Sequence, residues 1–243
     1  MFLKMSMINL ITNRTPRCRL RITGRISRPF TSKPICLDLY CGAGGASVGY
    51  SRAGFYVIGI DKNPQPNFPF EFYLANALDI DIPDWVDFIH ASPECQHFTV
   101  SRNIGTIDMS KYSDDIELIR SKLQATGKPY VIENVPGAPL INPITLHGGM
   151  FGLKIIRKRL FESNLFFLVP PQRIDERFTN SHCGYSSFAN GAKKISVVGH
   201  NFNFRDAQLS MGISWMKKRK EIALAIPPAY TEFLGRQILE QIA

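Results

Sequence analysis

Four short stretches carry residue types that do chemistry. The mostly apolar residues 35–39 run into the glycine-rich bend Tyr40-Cys41-Gly42-Ala43-Gly44-Gly45. Its glycines permit positive φ and let a ligand come close to the backbone. Nineteen residues past Gly42, at the end of a second apolar run (56–60), Asp61 can take both hydroxyls of a ribose. The fingerprint G-x-G-x-x-G would need glycine at position 47, where Ser47 stands, so an ordinary NAD-binding turn is disfavoured. A structural turn with a solvated aspartate is the bland alternative. Cys95, in Ser92-Pro93-Glu94-Cys95-Gln96, lies between polar residues on a loop that opens with proline. A thiol there is either a nucleophile, if positive charge favours its thiolate, or a small packed apolar group. Glu133 closes the apolar run 130–132 ahead of Asn134 and Pro136, and is either an acid/base group or a surface charge. Arg157-Lys158-Arg159 adds a basic triplet.

Regular elements must bring these groups together. Residues 35–39 are mostly apolar and lead through the bend into 46–53, which predicts strand, tight turn and helix N-terminus. Further strands are predicted at 56–60, 72–76, 87–91 and 130–132, with a helix over 114–125 capped by Ser113. Strands alternating with helices predict a mainly parallel sheet with crossovers. Ligands then sit beyond the carboxyl ends of the strands, and the bend, Asp61, Asn76, Cys95 and Glu133 share that edge. After 147 the pattern loosens: 163–198 is loop-rich, while 217–226 and 230–242 read as helices around a Pro227-Pro228 break.

At 243 residues and 44% hydrophobic content, the chain suits one globular domain with at most a small attachment. No apolar run approaches the roughly 20 residues that span a bilayer, so no membrane partner is expected. Five scattered cysteines without a C-x-x-C pair argue for a reducing compartment and against disulfides or a zinc site. His182 and Cys183 are too isolated to suggest a metal. The net charge of +9 is concentrated: residues 1–34 hold eight basic residues and no acid, and the rest has 21 Lys and Arg against 20 Asp and Glu. Global charge therefore says little about the substrate of the folded part. Residues 1–34 are expected to be disordered, as a basic arm, an organelle transit segment or translation from an upstream start.

Together these stretches resemble the DNA (cytosine-5) methyltransferases, especially the short phage-type members. Asp38 to Gly45 resembles the family's first motif, and Ser92-Pro93-Glu94-Cys95-Gln96 its nucleophile loop. Glu133-Asn134-Val135 resembles the acid motif and Arg157-Lys158-Arg159 the arginine motif. Ala225-Ile226-Pro227-Pro228-Ala229-Tyr230-Thr231-Glu232-Phe233 resembles the C-terminal segment. The resemblance implies a class I S-adenosylmethionine-dependent methyltransferase with a Rossmann-like, doubly wound, mainly parallel α/β sheet. Residues 35–161 would form its catalytic core, 162–205 a small target-recognition region, and 206–243 C-terminal helices completing the catalytic domain. It further implies methylation of cytosine C5 in double-stranded DNA through a covalent Cys95–C6 adduct with a flipped-out base. Glu133 would be the acid near N3, while Arg159 first, and Arg157 second, would hold the pyrimidine carbonyl or adjacent phosphate. The cofactor S-adenosylmethionine would be held by Tyr40, Cys41, Gly42, Ala43, Gly44, Gly45, Asp61, Lys62, Asn76 and Pro93. Of these, Gly42 and Gly44 would meet its methionine part, Asp61 its ribose and Asn76 its adenine edge. No metal is implied. A bacterial or phage-infected cytoplasm fits such an enzyme, with a restriction–modification setting and a cognate nuclease or recognition partner; organelle targeting by 1–34 stays open.

Departures from the family pattern qualify this. Glu94 stands where proline is usual, and a carboxylate beside Cys95 would raise the thiol pKa and repel DNA phosphates. A catalytically impaired cofactor- or DNA-binding relative is therefore one alternative, and the same chemistry on RNA another, since a relative of the family acts on tRNA. Asn76 stands where aspartate is commoner, and Leu224 near an asparagine that faces the cofactor in larger members. The recognition region offers Arg173, Arg177, Asn180, His182, Lys193 and Lys194. Two or three good bidentate base contacts, about 1–3 kcal/mol each, support only a short target.

Overall fold

A computed structural model describes residues 19–22, 26–94, 115–169, 194–197 and 201–243. In chain order the elements are β1 (Arg19–Ile22), β2 (Ile35–Leu39), α1 (Gly45–Ala53), β3 (Tyr56–Asp61), β4 (Glu71–Leu74), β5 (Phe88–Ala91), α2 (Asp115–Ala125) and β6 (Tyr130–Asn134). There follow β7 (Ile144–Leu146), a 3-10 turn (Gly148–Phe151), β8 (Ile155–Ile156), β9 (Arg159–Ser163), β10 (Ile195–Ser196), α3 (Phe204–Met211), α4 (Arg219–Leu224) and α5 (Pro228–Ile242).

The apolar runs that read as strands form one sheet of order β1-β4-β3-β2-β5-β6-β9-β7. Pairing is parallel from β1 through β6, and β9 runs antiparallel to both β6 and β7. Two faces must be covered, and the alternation along each strand divides the core accordingly. Leu37, Leu39, Ile58, Ile60, Ile89 and Ile132 pack with Ile119 and Leu123 of α2. Cys36, Val57, Phe88 and Val131 face the other way, against Tyr50 of α1 and Tyr230, Leu234 and Ile238 of α5. This is the Rossmann-like, doubly wound α/β fold expected from the sequence. From β2 the chain winds outward through β3 and β4, then returns to lay β5 and β6 on the other side. The strand order thus reverses between β2 and β5, where such sheets open a crevice at their carboxyl ends.

Helix α1 is pressed against α5 by small residues. A Cβ on Gly49 would lie 2.0 Å from Thr231 Oγ1 and 2.2 Å from Pro228 O, so only glycine permits this approach. The Thr231 hydroxyl donates to Ala46 O at 2.8 Å, locking the start of α5 onto α1. Helix α5 begins at Pro228 rather than at residue 230, because proline at the first helical position has no N–H to leave unsatisfied.

Other expectations change. Within 1–34, read as disordered, Arg19–Ile22 pairs with Glu71–Leu74 and Ile26 is buried in the core. The open edge of β4 offers backbone donors and acceptors that composition does not reveal. Strand β9 runs across the 161/162 boundary drawn for the recognition region, and α3 begins at Phe204 ahead of the 205/206 boundary. Ser113, expected as a helix cap, lies outside the described residues. Among the described residues no helix is long and apolar enough to cross a membrane, and no His, Cys, Asp and Glu group is placed to hold a metal ion.

Candidate active site

The bend after β2 is held in a conformation few residues adopt: φ is 58° at Tyr40, 50° at Gly42 and 85° at Gly44. Cys41 N–H donates to Ile60 O, and Gly44 N–H to Cys41 O, each at 3.0 Å. Asp61, at the end of β3, accepts from Gly42 N–H at 3.0 Å through Oδ2 and from Asn63 N–H at 2.8 Å through Oδ1. One carboxylate thereby ties two loops together, and its remaining lone pairs can take further donors. A Cβ on Gly42 would meet nothing within 4 Å, so open space lies over it. The opposite wall comes from the C-terminal part. Trp215 Nε1–H donates to Ala43 O at 2.8 Å. Glu221 accepts from the N–H groups of Lys217 and Lys218, both at 3.0 Å, and from Asn67 Nδ2 at 2.8 and 3.0 Å. Between these walls is a cleft of about 480 Å³, a size that suits a small organic ligand.

Its floor is charged and buried. Asp38, inside β2, is fully buried; its Oδ2 accepts from the Ser47 hydroxyl, and its Oδ1 has no hydrogen-bond partner among the described residues. Burial pushes its carboxyl up to about 7; the Ser47 bond opposes this, and the charges of Asp61 and Glu133 add to it. Glu133, at the end of β6, lies with its Oε1 2.9 Å from Arg159 Nε, but among the described residues no donor is aligned on that oxygen for a hydrogen bond. Burial raises the Glu133 pKa, against the lowering effects of Arg159, Arg157 and a hydrogen bond from Ser92. The strand register explains the meeting: Glu133 pairs with Phe161 across β6 and β9, which places Arg159 two residues along on the neighbouring strand.

Ten of the residues expected at the site line this cleft: Tyr40, Cys41, Gly42, Ala43, Gly45, Asp61, Lys62, Pro93, Glu133 and Arg159. Three do not. Gly44 instead caps α1, packed beside Phe68 and Pro69. Asn76 is committed to its own turn, its Oδ1 accepting from Leu78 N–H at 3.2 Å and its Nδ2 donating to Asp79 at 3.0 Å. Arg157 points away, donating to Val197 O at 2.9 Å and Ala223 O at 2.7 Å, where it braces the C-terminal part. Cys95 lies outside the described residues, as do Arg173, Arg177, Asn180, His182 and Lys193; the chain is followed along the cleft wall through Ser92, Pro93 and Glu94. Asp38 and Ser92 also line the cleft and were not singled out from sequence. A carboxylate inside the apolar run Ile-Cys-Leu-Asp-Leu was the available signal for the first.

Glu94, the residue that argued against a reactive thiol, has a partner. Its Oε1 lies 2.5 Å from Lys62 Nζ, with both side chains partly exposed. The lysine offsets the negative charge next to Cys95. Lys62→Ala is therefore expected to move Cys95 alkylation to higher pH, and adding Glu94→Gln to reverse this. The pH dependence of Cys95 alkylation, followed on its peptide by mass spectrometry, checks this; the same midpoint in all three proteins would mean the pair does not tune the thiol.

No protein-family model and no curated sequence matches the chain. Solved structures do. One is a prophage-encoded E. coli protein described as a DNA modification methyltransferase, with a TM-score of 0.57 at 12% identity, covering 86% of this chain and 99% of that one. The S. pombe Dnmt2 methyltransferase gives 0.56 at 14% identity, with 86% and 99% covered. The Entamoeba histolytica methyltransferase EhMeth gives 0.56 at 15% identity, with 88% and 100% covered. At such identities the likeness establishes the fold: this chain is built as those methyltransferases are, nearly end to end.

Proposed function

We propose that the protein methylates C5 of cytosine in DNA, with S-adenosylmethionine as methyl donor and Cys95 as nucleophile. One observation carries the reading. The Glu133–Arg159 pair and the residues leading into Cys95 share a cleft with the glycine bend and Asp61, at the strand-order reversal.

The cleft fits the cofactor chemically. Asp61 has acceptor capacity left for ribose hydroxyls, and the open space over Gly42 admits a ligand against the backbone. The unpartnered Oδ1 of Asp38 suits a cationic group such as the methionine ammonium. When bound, S-adenosylmethionine would supply an electrophilic methyl group. Asp61→Ala removes the ribose acceptor and releases Gly42 N–H, and is expected to weaken cofactor binding roughly 10- to 100-fold. Calorimetric titration checks this, and unaltered affinity would remove Asp61 from the site.

The chain's own residues then handle the base. Cytosine C5 is too weak a nucleophile to take a methyl group unaided. Addition of the Cys95 thiolate to C6 makes C5 carbanion-like, while the ring nitrogen N3 gains electron density. Glu133, kept protonatable by its burial, donates a proton there, and Arg159 steadies the neighbouring carbonyl. Once C5 carries the methyl group, solvent takes the C5 proton, Cys95 leaves C6 as thiolate, and N3 returns its proton to Glu133, which restores the ring. The base must leave the duplex to reach this depth, at a cost of a few kcal/mol.

The test is transfer of labelled methyl groups to unmethylated DNA and, in parallel, to RNA, followed by hydrolysis and base analysis. Label in 5-methylcytosine from DNA is expected. Label only in RNA would replace the substrate, and cofactor binding without transfer to either would leave a binding protein.

A further inference from the structure

Behind Glu133 a line of polar side chains runs into the apolar core. Ser92, just past β5, gives the Glu133 carboxyl a hydrogen bond. Its Oγ lies 2.8 Å from His90 Nε2, and His90 Nδ1 lies 3.0 Å from the Tyr50 hydroxyl on α1. His90 and Tyr50 are both fully buried, with Tyr50 wedged among the rings of Phe55, Phe88 and His90. A histidine and a tyrosine so placed cost desolvation that a phenylalanine pair would not, so their polarity calls for a purpose.

Hydrogen-bond accounting fixes the direction of the chain. Among the described residues His90 has no acidic partner, and burial lowers its pKa to about 3, so the ring is neutral and carries one proton. Burial likewise keeps the Tyr50 phenol protonated. The Tyr50 proton has one acceptor among the described residues, His90 Nδ1. The ring proton is then on Nε2 and donates to Ser92 Oγ, which leaves the single Ser92 proton for Glu133. The reverse direction would strand the Tyr50 proton against Phe55 and Phe88. We infer that Tyr50, His90 and Ser92 are positioning residues that hold the Ser92 hydroxyl as a permanent donor to Glu133 and so set the carboxyl's orientation and readiness to give up its proton. Their part in catalysis rests on the function proposed above; the chain itself does not.

Every described group that acts on Glu133 bears on its titration. Arg159 approaches from β9 and Ser92 from just past β5; Arg157, turned away, acts only through its charge, as do Asp38 from β2, Tyr50 from α1 and Tyr230 from α5. The two arginines and Ser92 favour the carboxylate; burial opposes them. Removing a hydrogen bond to the charged form must therefore move the carboxyl midpoint upward.

Wild type, Ser92→Ala, His90→Leu and His90→Gln are compared. Isotope-edited NMR reads the Glu133 carboxyl titration, assigned with Glu133→Gln, and the His90 ring nitrogens. In the wild type the His90 proton is expected on Nε2, with no titration between about pH 5 and 9. Ser92→Ala and His90→Leu are expected to raise the Glu133 midpoint by about one pH unit. His90→Gln, whose amide can still donate to Ser92, should stay near wild type. Activity needs protonated Glu133, so the alkaline limb of the methyl-transfer profile should move up with the midpoint. A proton on Nδ1, or an unmoved midpoint in both Ser92→Ala and His90→Leu, overturns the assignment. If the NMR results hold while the wild type transfers no methyl group, the proposed function falls and the positioning chain stands.

Discussion

Cys95→Ser is expected to lower methyl transfer to cytosine by roughly 10³-fold or more while S-adenosylmethionine affinity changes less than about twofold. The asymmetry follows from where the two tasks sit. The groups proposed to hold the cofactor are Asp38, the bend after β2 and Asp61, which belong to β2 and β3. The proposed nucleophile, Cys95, follows Ser92, Pro93 and Glu94 in the chain after β5. A serine hydroxyl is almost never ionised near neutral pH, whereas the thiol needs only a partial shift toward thiolate. Arg159 and Lys62 supply positive charge on the cleft walls, and Lys62 is paired to Glu94. Glu133→Gln makes a useful contrast. It keeps a side chain able to donate to the base but removes the transferable proton, so a loss of about 10²- to 10⁴-fold is expected, with the covalent adduct forming more slowly but still forming. Trapping of a protein–DNA adduct on a mechanism-based cytosine analogue separates the two: Glu133→Gln should still form it, and Cys95→Ser should not. Substantial turnover by Cys95→Ser would remove the covalent mechanism altogether.

How much of this was legible in advance depends on how local each cause was. Strands β2, β3, β5 and β6 announce themselves as apolar runs ended by Gly, Pro or a polar residue, and with them the shared edge. Strand β9 did not, because Arg-Leu-Phe-Glu-Ser is half polar and owes its extended form to pairing with β6. Arg157 and Arg159 look interchangeable in sequence. The partners of Arg157 are carbonyls 40 and 66 residues away, brought close only by the fold. Asn76 was placed on the correct edge by its position after β4, but edge position does not say where a side chain points. Its own turn claims the amide. Glu94 was read as an obstacle because its answer, Lys62, lies on another strand's loop.

Asp38→Asn is expected to stabilise the ligand-free protein at alkaline pH and to weaken cofactor binding at least about tenfold. Asparagine keeps the volume and the oxygen that accepts from Ser47, so the substitution chiefly deletes a buried charge. In the fold the carboxyl is pushed up to about 7, above its unfolded value near 3.8. A group raised in this way contributes its stability below the unfolded pKa and loses it as pH rises through the folded one. Between pH 4 and 7 the wild type should therefore lose at most about 4 kcal/mol that the variant does not lose. His90, buried and neutral in both proteins, destabilises each equally as pH falls below about 6.5, and cancels in the comparison. Urea unfolding at pH 5 and pH 8 reads the effect: the variant should gain over wild type at pH 8 and much less at pH 5. Parallel pH dependences would show that Asp38 ionises freely in the fold and that its unpartnered oxygen carries no penalty. The same substitution removes a buried negative charge from the cleft lining, so a cationic ligand loses the group that would repay that penalty on binding. A protein that keeps a destabilising carboxylate in its central strand, where asparagine would fold better, keeps it for what the cleft receives.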